Sequence, residues 1–486
     1  MNGCVLLFSL VTLLFVYLIW LFAENEKPCR VVYGYSVEKA NESSSSSLDD
    51  SLLQLRFVSP SETSNVPCSQ FFNPNIDVTS LGKKFRTKYE DPSNEKDLPT
   101  DCNSILERNN FHRKPLSKEE NKFPLAYARN VFQDYRFLEI TLSTTYAPQN
   151  FYCFSIDGKA NKLFRQRMNN LAKCFPNVHI TDFTAKMDSA GHNTNAHHMA
   201  CLKWLADKNK KWKYVMLLQN HDIPLKTNQE MVQILKWYNG TNDVTTELRN
   251  QLPKHSWDFE TLRLFKDPAR NKQTIDGNKP EVLLTRSMVQ NFMSREAIDF
   301  IIDKLNLDIT VQQLNSYSWT VDEYLTSSLN SNDNIKLPGG FTRKCGSKSG
   351  TIIGMSRFNV WIRNRTRCGS GMWRHNVCIF GLEDLRSNFV DNPFFIANKM
   401  YPAYDFAAIT CWNEVLFNRT YYDRGLHRLN KAAYVNLPQV RYNRARNKYG
   451  DKFNIDLFNC SAYSDQHIGT NILSSGIRII ESKKKK

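Results

Sequence analysis

Three carboxylates stand where a folded chain could put them to chemical use. Asp157 follows the apolar run FYCFSI (151–156), Asp222 lies in the polar loop NHDIP (220–224), and Glu323 closes the motif TVDE (320–323). A carboxylate held in a cleft can take a proton from an attacking hydroxyl or accept hydrogen bonds from a ligand. The same residue types have plainer uses. Acids at strand ends cap the next helix or fix a turn, and Thr-x-x-Glu is also a capping box. His192, His197, His198 and His221 invite a metal reading, which we reject. Adjacent residues such as His197 and His198 point apart on a helix, and no carboxylate follows any of the four at i+4.

These positions need a scaffold, and the hydropathy pattern supplies one. FYCFSI (151–156), residues 178–181 and YVMLL (214–218) read as strands, while 159–174, 197–208 and 231–237 read as helices. Strand-helix alternation implies crossover connections and an α/β fold with a parallel-rich sheet. Ligands then bind at the carboxyl ends of the strands, where Asp157 and Asp222 fall. Upstream, Pro, Ser, Asn and charge dominate without a sustained apolar period, as in NESSSSSLDD (41–50). The expected organisation is a short end at 1–4, an anchor at 5–23, a stem at 24–120, the folded body at 121–465 and a basic tail at 466–486. Cys68 and Cys102 offer a way to tie the later stem to the body. No internal repeat is evident, which argues against a solenoid.

With 41% hydrophobic and 12% aromatic residues over 486 positions, the chain is not a disordered tail protein and can bury a large core. Its net charge of +16 points to an anionic partner. No Arg-rich recognition helix, zinc-finger spacing or RNP-like motif accompanies that charge, so nucleic acid is not the expected partner. Residues 5–23 carry no charge and approach the roughly 20 residues that cross a bilayer, which makes them a membrane-segment candidate. Eleven cysteines lie beyond them: Cys29, Cys68, Cys102, Cys153, Cys174, Cys201, Cys345, Cys368, Cys378, Cys411 and Cys460. Asn-x-Ser/Thr acceptors stand at Asn41, Asn239, Asn364, Asn418 and Asn459. Scattered cysteines with such acceptors favour an oxidising lumen over zinc binding. The odd count leaves one thiol free, or bridged to a second chain in a disulfide-linked dimer.

Five segments, in order, resemble the core-2/I-branching glycosyltransferases, the family that also contains peptide O-xylosyltransferases. They are YAPQNFYCFSIDGKA (146–160), WKYVMLLQNHDIPLKTNQEMVQILK (212–236), TVDEYL (320–325), VCIFGLEDL (377–385) and ANKM (397–400). The resemblance spans about residues 123 to 415. It implies a GT-A-like fold in a single-pass type II Golgi membrane protein with a lumenal catalytic domain. It also implies inverting transfer of N-acetylglucosamine from UDP-N-acetylglucosamine to a glycan hydroxyl in β-1,6 linkage. Matched residue by residue, Glu323 is the catalytic base and Asp157, Asp222, Arg374 and Lys399 are donor contacts. Glu260 and Trp361 fall on the acceptor side.

Most GT-A enzymes hold the donor diphosphate through a divalent ion bound at an Asp-x-Asp triplet, and this chain has none. The expectation is therefore no metal and no cofactor beyond the UDP-sugar co-substrate, with Lys399 and Arg374 supplying the positive charge. One extra residue separates Arg374 from Cys378, which leaves His375 as a competing match. The implied disulfides are Cys68 to Cys411, Cys102 to Cys174, Cys153 to Cys201 and Cys368 to Cys378. Cys29, Cys345 and Cys460 receive no partner.

The chain also departs from the family. In MDSAGHNTN (187–195), Ser189 and His192 stand where Tyr and Trp are usual. The first strand YARNVFQD (127–134) carries Arg129 and Asn130 in a normally apolar run, and Phe132-Gln133 replaces a His pair. These changes keep UDP-xylose or another UDP-sugar in view as donor, and leave a non-catalytic glycan-binding protein on the same fold as the alternative.

Overall fold

A computed structural model describes residues 55–275, 277–345, 351–352 and 354–460. The expected anchor at 5–23, the basic tail at 466–486, Cys4, Cys29 and Asn41 lie outside these residues. Among the described residues no helix is long and apolar enough to cross a membrane.

The central sheet begins with β1 (Leu125–Val131), β2 (Phe151–Ile156), β3 (Val178–Ile180) and β4 (Tyr214–Leu218). All β1 side chains are buried, as both faces of a parallel sheet require. The remaining strands are short: β5 (Asp222–Pro224), β6 (Thr246–Leu248), β7 (Thr285–Arg286), β8 (Phe292–Ser294), β9 (Thr351–Ile352), β10 (Arg357–Phe358), β11 (Trp373–Arg374), β12 (Val377–Cys378) and β13 (Ile396–Asn398). The main sheet has the order β3-β2-β1-β4-β8, parallel except for β8. Helices Tyr135–Thr145, Lys162–Lys173 and Thr194–Leu205 make the crossovers. Each face of the sheet buries its own core. Tyr127, Tyr152, Phe154 and Met216 point into one cluster with Trp412 and Phe380, while Ala126, Ala128, Cys153 and Val215 point into another with Leu202 and Ile298. This is the period-two alternation of a strand read at the scale of the whole fold.

Arg129 and Asn130 sit inside β1 because their side-chain donors find acceptors there. Arg129 donates to the carbonyls of Gln219, Asn220 and Asp222 and to Thr141 Oγ1, and Asn130 donates to the Thr194 carbonyl. A cation in the sheet thus fixes the loop that leaves β4.

Residues 55–120, expected as the later part of a stem, are packed onto the body. Phe71, Leu98 and Ile105 are buried in the first core cluster, and disulfides Cys68–Cys411 and Cys102–Cys174 fasten the segment. Its short helices Val78–Phe85, Cys102–Arg108 and Lys118–Lys122 are capped by Asp77, Asp101 and Ser117. Single apolar anchors far apart in sequence leave no periodicity to read, which is why the segment passes for a linker.

Cys153–Cys201 and Cys368–Cys378 are also bonded, so all four implied pairs form. Cys345 and Cys460, left without partners in the sequence reading, bond to each other beside Phe341 and Tyr442. Every described cysteine is therefore paired, and no described thiol is left to bridge a dimer. Of the glycosylation acceptors, Asn239 and Asn459 are exposed, and Asn364 and Asn418 are half-buried.

Candidate active site

Glu323 ends a single 3-10 turn, Val321–Glu323, entered through Thr320 in the left-handed region at φ 54°. The capping box that the motif permits does not form: Thr320 makes no side-chain cap, and the next helix starts only at Leu325. Backbone bonds fix the turn, from Val321 N–H to the Ala190 carbonyl at 3.1 Å and from Ser287 N–H to the Glu323 carbonyl at 2.8 Å. The half-buried Glu323 carboxylate lies 3.5 Å from Arg286 Nε. Burial pushes its pKa up, Arg286 and Arg357 oppose that, and Glu247 adds to it. A raised carboxylate is a better proton acceptor than a surface one, provided it still ionises.

Asp322 points the other way, onto Gly191. A Cβ on Gly191 would meet Asp322 Oδ1 at 2.1 Å, and the backbone there has φ +93°, so both contact and conformation call for glycine. Burial and the neighbouring Glu323 push Asp322 to about 7.

The loop that departs from the family pattern, 187–195, is the clamp for this turn. His192 Nδ1 is 2.7 Å from Asp188 Oδ2 and its Nε2 is 2.8 Å from the Tyr317 carbonyl. Both contacts favour imidazolium, and the bond to Asp188 raises the His192 pKa most. Asn193 N–H donates to Asn315, and Asn195 donates to the Val321 carbonyl. Ser189 is exposed.

At the opposite end, β13 runs parallel to β10 and antiparallel to β5, with Asn398 opposite Asp222. Lys399 follows β13. Burial, Arg357 and Arg374 push its pKa down to about 8, while Asp222 pulls it up. An amine depressed by neighbouring cations is short of an anion. Arg374 sits on β11, in a hairpin with β12 that the Cys368–Cys378 bond closes. Its guanidinium lies 5.3 Å from the Tyr401 ring centroid. His375 and Asn376 form the left-handed turn beyond it, at φ 49° and 63°. Of the two competing matches, Arg374 is the one whose charge acts on Lys399.

Asp157 is buried at the end of β2, where its Oδ1 accepts from the N–H groups of Lys159 and Met187 and so ties the strand end to the 187–195 loop. Asp222 does not offer a free face to a donor. Its Oδ1 accepts from Asn398 at 2.7 Å and Gln290 at 3.0 Å, and its Oδ2 from the Gln219 N–H at 2.6 Å. It is the post that holds Asn398, the residue before Lys399, against β5. Glu260 is likewise elsewhere: exposed on the helix Phe259–Leu262, it pairs with Lys279 at 3.0 Å. The acid that the fold brings toward Glu323 is Glu247, on β6. Trp361 is half-buried and bridged through its backbone to Val377, next to the Arg374 hairpin.

Two residues escaped the sequence reading. Arg357, on β10, donates to Gln290 Oε1 at 3.0 Å and to Asn398 Oδ1 at 2.7 Å, and its buried Nε has no partner. Its charge acts on both Glu323 and Lys399, which places it between the two ends of the site. An Arg before an apolar Phe gives no signal of that. Trp319 stands four residues before Glu323 with 69% of its surface exposed, uncommon for the type. The four histidines make separate contacts: His197 with Ser155 and the Ala185 carbonyl, His198 with the Leu218 carbonyl, and His221 with Asp134. Among the described residues no three His, Cys, Asp or Glu gather as a metal site.

A half-buried carboxylate and a cluster of cations whose fields meet at Arg357 are side chains that a group transferase for a phosphate-bearing donor would use. The family description Core-2/I-Branching enzyme matches residues 125–388, more than half of the chain, and the chain belongs to that family. It is a glycosyltransferase. A beta-1,3-galactosyl-O-glycosyl-glycoprotein beta-1,6-N-acetylglucosaminyltransferase 4 of Danio rerio is 27% identical over 379 residues, 74% of this chain and 86% of that protein. The Bos taurus beta-1,3-galactosyl-O-glycosyl-glycoprotein beta-1,6-N-acetylglucosaminyltransferase is 26% identical over 377 residues, 74% and 87% of the two chains. The Homo sapiens enzyme 3 of the same description is 26% identical over 347 residues, 67% and 75%.

Proposed function

We propose that the protein is an inverting, metal-independent transferase that moves N-acetylglucosamine from UDP-N-acetylglucosamine to a glycan hydroxyl in β-1,6 linkage, in the Golgi membrane as a type II protein anchored by residues 5–23. The observation that carries this reading is the cluster of Lys399 with Arg374 and Arg357, in which burial and the two guanidinium charges push the Lys399 pKa down to about 8. The names of the relatives support the donor and the linkage. Five disulfides favour an oxidising compartment.

In this reading Lys399 and Arg374 hold the diphosphate as negative charge builds on it, Asp157 contacts the donor base, and Glu323 takes the acceptor proton. The hydroxyl oxygen bonds to the anomeric carbon from the face opposite UDP, which inverts the centre. Transfer to a β-1,3-galactosyl-O-glycan, assayed with a panel of UDP-sugars in excess chelator, tests it. The expected result is transfer from UDP-N-acetylglucosamine that drops on the order of a thousandfold in Glu323→Gln, the usual scale of a lost general base. Preference for UDP-xylose would move the donor assignment. Dependence on added manganese would end the metal-independent reading.

A further inference from the structure

The base end of the site contains a second charged element that neither the motifs nor the proposed chemistry uses. Strands β6 and β7 pair antiparallel with Glu247 opposite Arg286, and residues opposed in this way share a face within reach of each other. A chain of charges follows from that register. Arg249 Nη2 donates to Glu247 Oε2 at 2.7 Å, Arg286 Nη2 donates to the same oxygen at 3.2 Å, and Arg286 Nε lies 3.5 Å from Glu323 Oε2. The strand carrying Arg286 is fastened to the Glu323 segment on both sides. Thr285 N–H donates to Ser328 Oγ at 3.0 Å, Thr285 Oγ1 meets Ser327 Oγ at 2.7 Å, and Ser287 N–H donates to the Glu323 carbonyl at 2.8 Å. Arg286 cannot drift from the base without breaking these bonds.

We propose that Arg286 is a positioning residue for Glu323: it engages Oε2, reserves Oε1 for the acceptor hydroxyl, and together with Glu247 sets the pH at which the base is ionised. The inference rests on Glu323 being the base. The acceptor proton passes to Oε1 as the hydroxyl oxygen bonds to the anomeric carbon. The bond from that carbon to the diphosphate oxygen breaks, and its electron pair leaves with UDP. The charged groups around Glu323 are Arg286 from β7, Glu247 and Arg249 from β6, Arg357 from β10 and the adjacent Asp322. Arg286 is the strongest of the cations opposing the upward push of burial. Removing it raises the Glu323 pKa, whereas neutralising Glu247 lowers it.

The full-length chain in detergent, with UDP-N-acetylglucosamine and a β-1,3-galactosyl-O-glycan, provides the test through kcat/KM against pH. Arg286→Gln is expected to move the acid limb upward by about one pH unit, so that rates at low pH fall while KM for the UDP-sugar is unchanged. Glu247→Gln is expected to move the same limb downward. Arg286→Lys keeps the charge without the planar fork, so its limb stays near that of the wild type while kcat drops several-fold. If Arg286→Gln does not fold, Arg286→Lys and Glu247→Gln still decide. An unmoved limb in the glutamine variants, or Arg286→Lys identical to the wild type in kcat, overturns the proposal. Glu323→Gln separates the two levels: full transfer without the carboxylate would remove the base itself, whereas its loss beside an unmoved Arg286→Gln limb would remove only Arg286.

Discussion

The two ends of the site handle charge in opposite ways. Around Lys399 the cations Arg357 and Arg374 crowd a third cation, and the one nearby acid, Asp222, already has its oxygens occupied by Asn398, Gln290 and Gln219. Around Glu323, acids and cations alternate along Arg249, Glu247, Arg286 and Glu323, so that charge nearly cancels. In the proposed reading the first end suits a doubly charged ligand and the second a proton transfer that builds little net charge. A transferase with fixed cations would need both. An arriving anion would relieve the repulsion at the first end, and the balanced charges at the second would keep Glu323 from being overstabilised as a carboxylate.

The contrast can be broken at either end. Away from the motif residues, the largest effect is expected from Gly191→Ala, whose methyl would collide with Asp322 and displace the turn that carries Glu323. Transfer should fall at least about tenfold, with UDP binding measured by calorimetry unchanged, because a small misplacement of a reacting group is costly. Raising the pH should act on the other end alone. Lys399 is depressed to about 8, so it is charged below that value and neutral above it. The Kd for UDP is expected to hold steady from pH 6 to 7.5 and then rise by up to about tenfold per unit, the limit for one linked proton. The smallest effect is expected from His192→Phe. Losing the contacts to Asp188 and Tyr317 should cost on the order of 1 kcal/mol in chemical denaturation, while the pH dependence of UDP binding remains that of the wild type.

Legibility in the sequence followed locality. The apolar runs FYCFSI and YVMLL predict β2 and β4 to the residue, while the expected helices 159–174 and 197–208 form as Lys162–Lys173 and Thr194–Leu205, shifted by up to three residues at their ends. The helix expected from 197 begins at Thr194, because the polar Asn193 in the left-handed region opens it ahead of the apolar stretch. Glu323, Lys399 and Arg374 sit in motifs and could be named. Glu247 and Arg286 could not: their pairing depends on the register of two very short strands far apart in sequence, which no periodicity reports. Glu260, matched to the acceptor side, lies exposed on another element, whereas Glu247 is an acid whose charge acts on Glu323, a relation only the folded register shows. Asp222 could be named, but its intrachain partners could not. Its oxygens are claimed by Gln290 and Asn398, partners distant in the chain. The Cys345–Cys460 bond likewise joins segments separated by 115 residues, with no local spacing to announce it.

The most direct measurement is the affinity for UDP in excess chelator at pH 7, wild type against Lys399→Ala. Fixed cations at the leaving-group end require tight binding without metal and a loss of about tenfold or more in the variant, the scale of a charge-assisted hydrogen bond. Binding that appears only with a divalent ion, or that is equal in the two proteins, would contradict it.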